Sequence, residues 1–345
     1  MKGKLNSIEA FRFIFMLMIC IWHYQSENFL AYGYICVEFF FILSGILLFF
    51  SANKEKPVGT FEYALRRIRR FAPDCLLVVA FHYSRKMVFP VIFGKKDLDL
   101  VWLLKALPES LFLQNSGIYT GGLNYPMWYV SVMLLGGTII YAILQYDRKL
   151  AITILLPIIV LIGYTYMFNT NPNGRIESFD VNGGIYVPML RGVCGMSLGV
   201  LLGYILKTYK SKLEHIRTWV IDFLGIMSLF LFCLFAFMPS KESFDRYLLI
   251  IIPFLLLACF TERSVFNKIF KASIWSYLGS CSWQMLVYHG VIIIPLYMDT
   301  MRNTHLHLSQ GLDILLFCLI CVVLSMAFKA LVPKITPMLS RLFLK

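Results

Sequence analysis

The chain has 345 residues, of which 59% are hydrophobic and 15% charged, and its formal net charge is +13 at pH 7. This composition excludes an ordinary soluble domain, in which about 45–50% of residues are apolar and about 25% are charged. The basic residues stand in short clusters between apolar runs, without interleaved aromatics, so no nucleic-acid partner is expected. Several apolar runs approach the ~20 residues that cross a bilayer core. The sequence therefore predicts an integral membrane protein.

The apolar runs predict an all-α integral membrane fold, a polytopic bundle of about ten transmembrane helices. Arg85 and Lys86 interrupt the third run, and the eighth run is short. No polar stretch is long enough for a separate soluble domain, so residues 1–345 are expected to form a single membrane-embedded domain with no appended soluble one. The expected spans are residues 7–25, 33–51, 71–92, 126–145, 150–168, 186–206, 218–238, 247–260, 276–297 and 311–332.

The distribution of lysine and arginine between the spans predicts the orientation. Lysine and arginine are more than twice as numerous in the segments expected on the same side of the membrane as the N-terminus as in those expected on the opposite side. By the positive-inside rule, both termini are expected in the cytoplasm. The first apolar stretch contains Arg12 and lacks a small-x-small cleavage site, so we interpret it as a retained span rather than a signal peptide.

The first span carries two polar residues, Arg12 and His23, on one face. They are eleven residues apart, which leaves them about 20° from alignment and ~16 Å apart along a helix axis. Glu9 precedes Arg12 by three residues and can pair with it. Charged groups at bilayer depth normally face a partner or a polar cavity. Alternatively, the arginine extends to the inner membrane surface and the histidine caps the outer end of the span.

The second span contributes a carboxylate, Glu38, followed by Ser44 and Gly45, which allow close approach of another helix. If the first two spans form a hairpin, Glu38 and His23 lie at similar depth. A neighbouring carboxylate raises the basicity of an imidazole and fixes its tautomer, which suits a general base. The alternative is a structural pair within the bundle.

Four arginines stand in R-R-I-R-R-F-A-P, residues 66–73, at the end of the expected cytoplasmic loop between the second and third spans. Guanidinium groups match phosphate oxygens bidentately, so this run is a candidate site for a phosphorylated ligand. The run is equally typical of a topology anchor that binds anionic lipid headgroups.

Taken together, these residues resemble the acyltransferase-3 family of membrane-bound O-acyltransferases, which acylate bacterial surface polysaccharides and some lipids or antibiotics. That family carries R-x10-H in its first span, with an acidic residue three before the arginine, and D-L-F-F-V-L-S-G-F in its second. It also carries R-x-x-R followed by proline, a later P-x-W-x-x-S, and S-Y-x-x-Y-L-x-H near the C-terminus. The matching residues here are Glu9, Arg12, His23, Glu38 to Gly45, Arg67, Arg70, Pro73, Pro126, Trp128, Ser131 and the run from Ser282 to His289.

The resemblance implies an enzyme that uses acyl-CoA, most commonly acetyl-CoA, as a co-substrate bound from the cytoplasm, with no resident cofactor and no metal. The phosphates of acyl-CoA would be held by Arg67 and Arg70, helped by Arg66 and Arg69. Trp128 and Ser131 would contact substrate, although Trp128 is also typical of an interfacial aromatic belt.

The resemblance also implies the catalytic roles. His23 would deprotonate the acceptor hydroxyl or carry the acyl group transiently, and Arg12, paired with Glu9, would stabilise negative charge along the acyl path. Glu38 would support His23. The acceptor would be an extracytoplasmic glycan or glycolipid, and the chain would lie among the lipids of a bacterial plasma membrane.

Two departures from the family pattern are visible. Many members have a glutamate two residues after the serine of the fourth-span motif, where this chain has Met133. Many also carry an extracytoplasmic hydrolase-like domain, whereas this chain ends at Lys345, so we expect direct transfer or a separate soluble transferase partner. The main alternative function is a transporter or flippase of a lipid-linked sugar, which also needs a polar path and intramembrane charges. Inverted repeats, common in transporters, are not evident.

Overall fold

The computed structural model describes residues 5–25, 29–94, 97, 99–119, 121–122, 124–182, 184–238, 243–305 and 308–343. Within these ranges the chain is mostly helical, and a short antiparallel ribbon of β1 (Val181–Asn182) and β2 (Ile185–Tyr186) is the only sheet. The helices are α1 (Asn6–Gln25), α2 (Cys36–Ala52), α3 (Thr60–Tyr83), α4 (Phe89–Ile92), α5 (Leu100–Leu104), α6 (Ala106–Ser110), α7 (Trp128–Tyr146), α8 (Arg148–Leu150), α9 (Leu156–Thr170), α10 (Val187–Thr208), α11 (Lys210–His215), α12 (Thr218–Phe237), α13 (Leu248–Phe260), α14 (Val265–Ile269), α15 (Ile274–Tyr288), α16 (Ile294–Thr304) and α17 (Gln310–Phe343).

Nine helical stretches in the described part of the chain are long and apolar enough to cross a membrane, which confirms the polytopic all-α membrane fold. The one expected span without such a stretch is the eighth, 247–260, which corresponds to α13, whose 13 residues are fewer than the ~20 of a full crossing. The cytoplasmic placement of the termini stays a prediction. The nine stretches are Asn6–Gln25, Gly33–Ala52, Thr60–Ile92, Tyr125–Tyr146, Arg148–Thr170, Val187–Thr208, Thr218–Phe237, Ile274–Thr304 and Gln310–Ile335.

The third span begins earlier than predicted. α3 starts at Thr60 rather than near residue 71, so the arginine run, expected at the end of a loop, is helical. The physical reason is composition, because alanine, leucine, arginine and glutamate favour helix in the segment before Pro73. Pro73 stands inside α3 without ending it.

The two basic residues that interrupt the third span do not end it either. Arg85 and Lys86 lie in a π-helical turn, Ser84–Val88, that joins α3 to α4. A π turn adds one residue to the helical repeat and thereby rotates the side chains that follow. Similar π turns, Ala151–Leu155 and His289–Ile293, precede α9 and α16.

The chain folds into two compact units. One contains residues 1–64 and 132–280, and the other contains residues 65–131 and 281–345. The expectation of one membrane-embedded domain over 1–345 stays a prediction.

The first unit is organised around the close contact of α2 with α10. A Cβ at Gly45 would overlap the backbone of Met196, and a Cβ at Gly199 would overlap the backbone of Ile42. The small residues therefore bring two helix backbones together, as the sequence predicted for Gly45. Beside this crossing, the ring of Phe15 from α1 stacks on Phe232 with centroids 4.6 Å apart.

The second unit is held together by a buried carboxylate on α3. Asp74 accepts hydrogen bonds of 2.8 Å from the Trp283 indole nitrogen and from the Tyr288 hydroxyl, both on α15. The Tyr288 ring stacks on Phe328 of α17 at 4.1 Å. These contacts fix the register of the helix that carries the arginine run.

Candidate active site

α1 holds an ion pair near its first turn. Arg12 Nη1 donates to both carboxylate oxygens of Glu9, at 3.1 and 2.9 Å, with 26% and 9% of the two side chains exposed. Glu9 also lies against Gly279 of α15, where a Cβ would overlap its backbone and side chain. The pairing expected from the sequence is confirmed, and it leaves the guanidinium half-buried with donors directed away from Glu9.

His23 stands in the last turn of the same continuous helix, so the predicted separation from Arg12 of ~16 Å along one face holds. The imidazole is half-buried, and its ring centroid lies 4.7 Å from that of Trp22. Trp22 in turn packs against the start of the second span, because a Cβ at Gly33 would overlap its side chain and the Tyr34 ring lies 5.9 Å away. The residues at the start of the second span therefore pack against Trp22, the neighbour of His23.

Glu38 is fully buried in the first turn of α2, where it pairs with an arginine. Arg191 Nε on α10 donates to Glu38 Oε2 at 3.2 Å, and the Tyr164 hydroxyl on α9 makes a short hydrogen bond to Oε1. Both carboxylate oxygens are thus engaged by helices other than α1. The expected pairing of Glu38 with His23 stays a prediction.

The buried pair extends toward the loops at the end of the spans. Arg191 Nη2 donates to the backbone oxygen of Tyr34 at 3.0 Å, and the Tyr34 hydroxyl donates to both oxygens of Asp245, at 3.0 and 3.1 Å. The Ile176 amide donates to the same carboxylate at 2.7 Å. A chain of polar contacts therefore runs from Glu38 on α2 to the loop before α13.

A further acid, Glu177, lies in the loop before β1 and interacts with this set of polar residues. Burial raises the pKa of Glu177 to about 7; Arg191 and Arg175 lower it and Asp245 raises it further. Burial likewise raises the pKa of Asp245. Both carboxylic acids interact with Arg191, and the charge of Asp245 adds to the effect of burial on Glu177, which favours the protonated form of one of the two acids.

Arg191 is the principal site residue that was not predicted from the sequence. It is 2% exposed and binds Glu38 across 153 residues of sequence. A signal was present, since an arginine within an apolar span requires a buried acceptor and Glu38 is an equally uncompensated acid. Sequence alone does not say which acid meets which base.

The four arginines of the predicted donor site lie on α3. Arg66, Arg69 and Arg70 are exposed and Arg67 is half-buried. The Arg70 guanidinium carbon lies 6.0 Å from the centroid of the Phe71 ring, which stacks on Trp283 at 4.5 Å. The run thus presents several guanidinium groups from a rigid, packed helix, which suits a multiply charged anion.

The two predicted substrate contacts, Trp128 and Ser131, are both buried at the start of α7. Ser131 is fully buried, and its hydroxyl donates to Gln114 Oε1 at 2.9 Å, while Trp128 is 7% exposed. The same polar region contains Glu109, which accepts a hydrogen bond of 3.2 Å from the Tyr83 hydroxyl. The substrate-contact roles of Trp128 and Ser131 stay predictions.

The structure divides the predicted site residues between the two compact units. Glu9, Arg12, His23 and Glu38 belong to the first, together with Arg191. The arginine run, Trp128 and Ser131 belong to the second.

Comparison with known proteins gives one match. The sequence model of the acyltransferase-3 family, described as an acyltransferase domain, matches residues 5–330. A search of curated proteins and a search of solved structures each find no match. The match covers α1 through most of α17 and includes every residue placed in the candidate site.

Proposed function

Because this chain belongs to the acyltransferase-3 family and is an acyltransferase, we propose that it moves an acyl group from cytoplasmic acyl-CoA to a hydroxyl of an extracytoplasmic glycan or glycolipid. Acetyl is the acyl group that we propose. The observation that best supports a transfer between two sides is the polar face of α1. That face has a half-buried arginine near one end and a half-buried histidine near the other.

The proposed donor site is the arginine run of α3. Acyl-CoA carries several phosphate charges, and Arg66, Arg67 and Arg70 lie within an arc of about 100° on the helix. Guanidinium forks bind phosphate oxygens bidentately, so a group of three on one rigid face would hold a nucleotide-like donor better than a single lysine.

The proposed chemical step is attack of the acceptor hydroxyl on the thioester. The hydroxyl oxygen bonds to the acyl carbon as His23 accepts its proton, the carbon–sulfur bond breaks, and the CoA thiolate finally receives a proton to give CoA and an ester. In the two-step form, the neutral His23 nitrogen bonds to the acyl carbon as the carbon–sulfur bond breaks and CoA leaves as a thiolate. The hydroxyl oxygen then bonds to the acyl carbon, the nitrogen–acyl bond breaks to restore neutral His23, and the hydroxyl proton passes through solvent to the thiolate. Both forms conserve atoms and charge, and both need a neutral imidazole at the start.

The separation between Arg12 and His23 assigns them different partners in this proposal. At ~16 Å along the helix they do not reach the same reacting atom. Arg12, whose guanidinium group is held in place by Glu9, would therefore stabilise negative charge on the donor side, and His23 would act on the acceptor. Arg191 would act as a positioning residue, because it binds Glu38 and Tyr34, and the Tyr34 ring packs on Trp22, the neighbour of His23.

The proposed setting is a bacterial plasma membrane with both termini in the cytoplasm, with the acceptor and any separate soluble transferase partner on the other side. Positive-inside bias supports this orientation.

The test uses purified protein in proteoliposomes with radiolabelled acetyl-CoA and an extract of envelope glycans and glycolipids as acceptor. The proposal predicts base-labile label in the extract, with one free CoA released per ester formed. A transporter or flippase would instead move glycolipid across the bilayer without consuming acetyl-CoA, and that result would overturn the proposal.

A further inference from the structure

A short helical segment outside the nine spans has an unusual surface. The segment consists of α5 and α6 with the residues that flank them, 99–111, and is called the leucine segment below. Lys105, between the two helices, has helical backbone angles (φ −63°, ψ −20°), so they follow one another almost without a break. Asp99 caps the start, where its carboxylate accepts a hydrogen bond of 2.9 Å from the Trp102 amide.

One face of the leucine segment is apolar and uncovered. Five large apolar side chains are each between 57% and 72% exposed. At 100° per residue they occupy an arc of about 120°, which is the width of an amphipathic helix stripe. The five are Leu100, Val101, Leu104, Leu107 and Leu111.

The opposite face is fixed by specific contacts. The Trp102 ring lies 4.7 Å from the Tyr83 ring of α3, and Glu109 is 1% exposed, with its carboxylate accepting the Tyr83 hydroxyl. The apolar arc is thus held outward by the packing of its polar side. A loosely attached helix could rotate and turn its leucines inward. The contacts of Trp102 and Glu109 with Tyr83 prevent that rotation here.

The uncovered face follows, a few residues on in the chain, an exposed apolar stretch at the end of a span. Phe89 and Ile92 at the end of Thr60–Ile92 are more than half exposed, and Phe93 after them is exposed as well. The leucine segment begins seven residues beyond the last residue of that span. Lys105 is exposed and stands next to the apolar arc on the helix, a position from which a lysine amine can reach water.

We propose that the leucine segment lies in the membrane–water interface, with its apolar arc in the lipid at the end of the span Thr60–Ile92. An amphipathic helix with a leucine face and a flanking lysine binds a bilayer surface by burying that face at the headgroup boundary. A soluble partner would be expected to leave a groove or a patch rimmed by polar residues, whereas this arc follows in the chain the exposed apolar end of a membrane span. The segment would hold Glu109 and Tyr83 at the level of the membrane surface.

The test places a small fluorescent amino acid at one of three exposed positions, one in each variant. Leu104 reports on the leucine segment, Leu161 is an in-membrane control within Arg148–Thr170, and Lys210 in α11 is a water-exposed control. All three side chains are exposed, so the substitutions are expected to leave folding intact. Each variant is reconstituted with phosphatidylcholine that carries a nitroxide quencher either near the headgroup or near the end of the acyl chain.

The proposal predicts that the Leu104 probe is quenched several-fold more by the shallow nitroxide than by the deep one, with little quenching by aqueous iodide. The Leu161 probe should prefer the deep nitroxide, and the Lys210 probe should respond to iodide alone. A Leu104 probe that behaves like the Lys210 probe would overturn the proposal. The proposal would also be overturned if lipid nitroxides quenched the Leu104 probe only after the protein was diluted into excess lipid. That result would mean that a second copy of the chain covers the apolar face at the higher protein density.

Discussion

The guanidinium of Arg191 and the carboxylate of Glu38 lie 3.2 Å apart on two membrane helices, with 2% and 0% of their side chains exposed. Each charge alone would be costly at this depth, and each is also hydrogen-bonded elsewhere, to Tyr34 and to Tyr164. The pair therefore links α2 and α10, and through Tyr34 it reaches Trp22, the neighbour of His23.

Removing one partner of this pair is expected to destabilise the protein strongly. Arg191→Leu leaves Glu38 as an uncompensated buried acid, and the expected loss is about 3–5 kcal/mol in the free energy of unfolding. The double variant Arg191→Leu with Glu38→Leu should recover much of that loss, because no buried charge remains. Reversible unfolding in mixed detergent micelles measures both.

An exposed ion pair provides the matched control. Lys210 and Glu214 lie 3.8 Å apart with 73% and 62% of their side chains exposed, so Lys210→Met should hardly change the free energy of unfolding. If Arg191→Leu were as mild as Lys210→Met, the buried pair would not organise the first unit.

The crossing of α2 and α10 predicts a second effect on stability. Gly45→Ala places a Cβ against the Met196 backbone, which cannot yield without separating the helices, so a loss of about 1–3 kcal/mol is expected. Gly311→Ala on α17 meets no atom within 4 Å and removes a helix-disfavouring glycine, so it should be neutral or stabilising. Thermal unfolding in the same detergent compares the two; equal losses would contradict the close contact.

The raised pKa of Glu177 predicts a pH dependence of stability. Its folded pKa of about 7 exceeds the ordinary 4.5, so the fold prefers the neutral acid, and the stabilisation present below pH 4.5 is lost as pH rises through 7. Glu177→Gln stays neutral in an environment of Arg175, Arg191, Asp245 and Tyr34, and should flatten this dependence. The measurement is the unfolding temperature of both proteins from pH 5 to pH 8. Parallel curves would contradict the prediction.

The donor-site proposal predicts a difference among the arginines of α3. Arg67 and Arg70 are three residues apart and about 60° from each other on the helix, whereas Arg69 lies about 100° or more from both. Arg67→Gln and Arg70→Gln should therefore raise the KM for acetyl-CoA several-fold with a smaller change in kcat, and Arg69→Gln should change KM less. Steady-state kinetics in proteoliposomes measure this. Equal effects at all three positions would indicate general attraction of anions rather than a site.

Most of the fold was predictable from the sequence, because spans long and apolar enough to cross a bilayer have few alternatives. The errors lie where local chemistry is ambiguous. The start of α3 at Thr60 was missed because arginines before an apolar run fit a loop or a helix equally well. The uncovered leucine arc was missed because residues 100–111 are too short for a span.

The site was only partly predictable. The Glu9–Arg12 pair follows from helical spacing and is confirmed. The pairing of Glu38 with Arg191 and Tyr164 joins three helices distant in sequence, and no periodicity within one helix reveals such contacts. The family membership, by contrast, was carried by ordered motifs and is confirmed over residues 5–330.

The role proposed for His23 is tested by the effect of His23→Ala on acetyl-CoA-dependent ester formation in proteoliposomes. A general base or acyl carrier is worth about 100-fold or more in rate, so ester formation should fall to near background, with normal expression and unfolding temperature. His215→Ala, at an exposed histidine of α11, is the matched control and should keep full activity. Full activity of the His23→Ala protein would contradict the central claim.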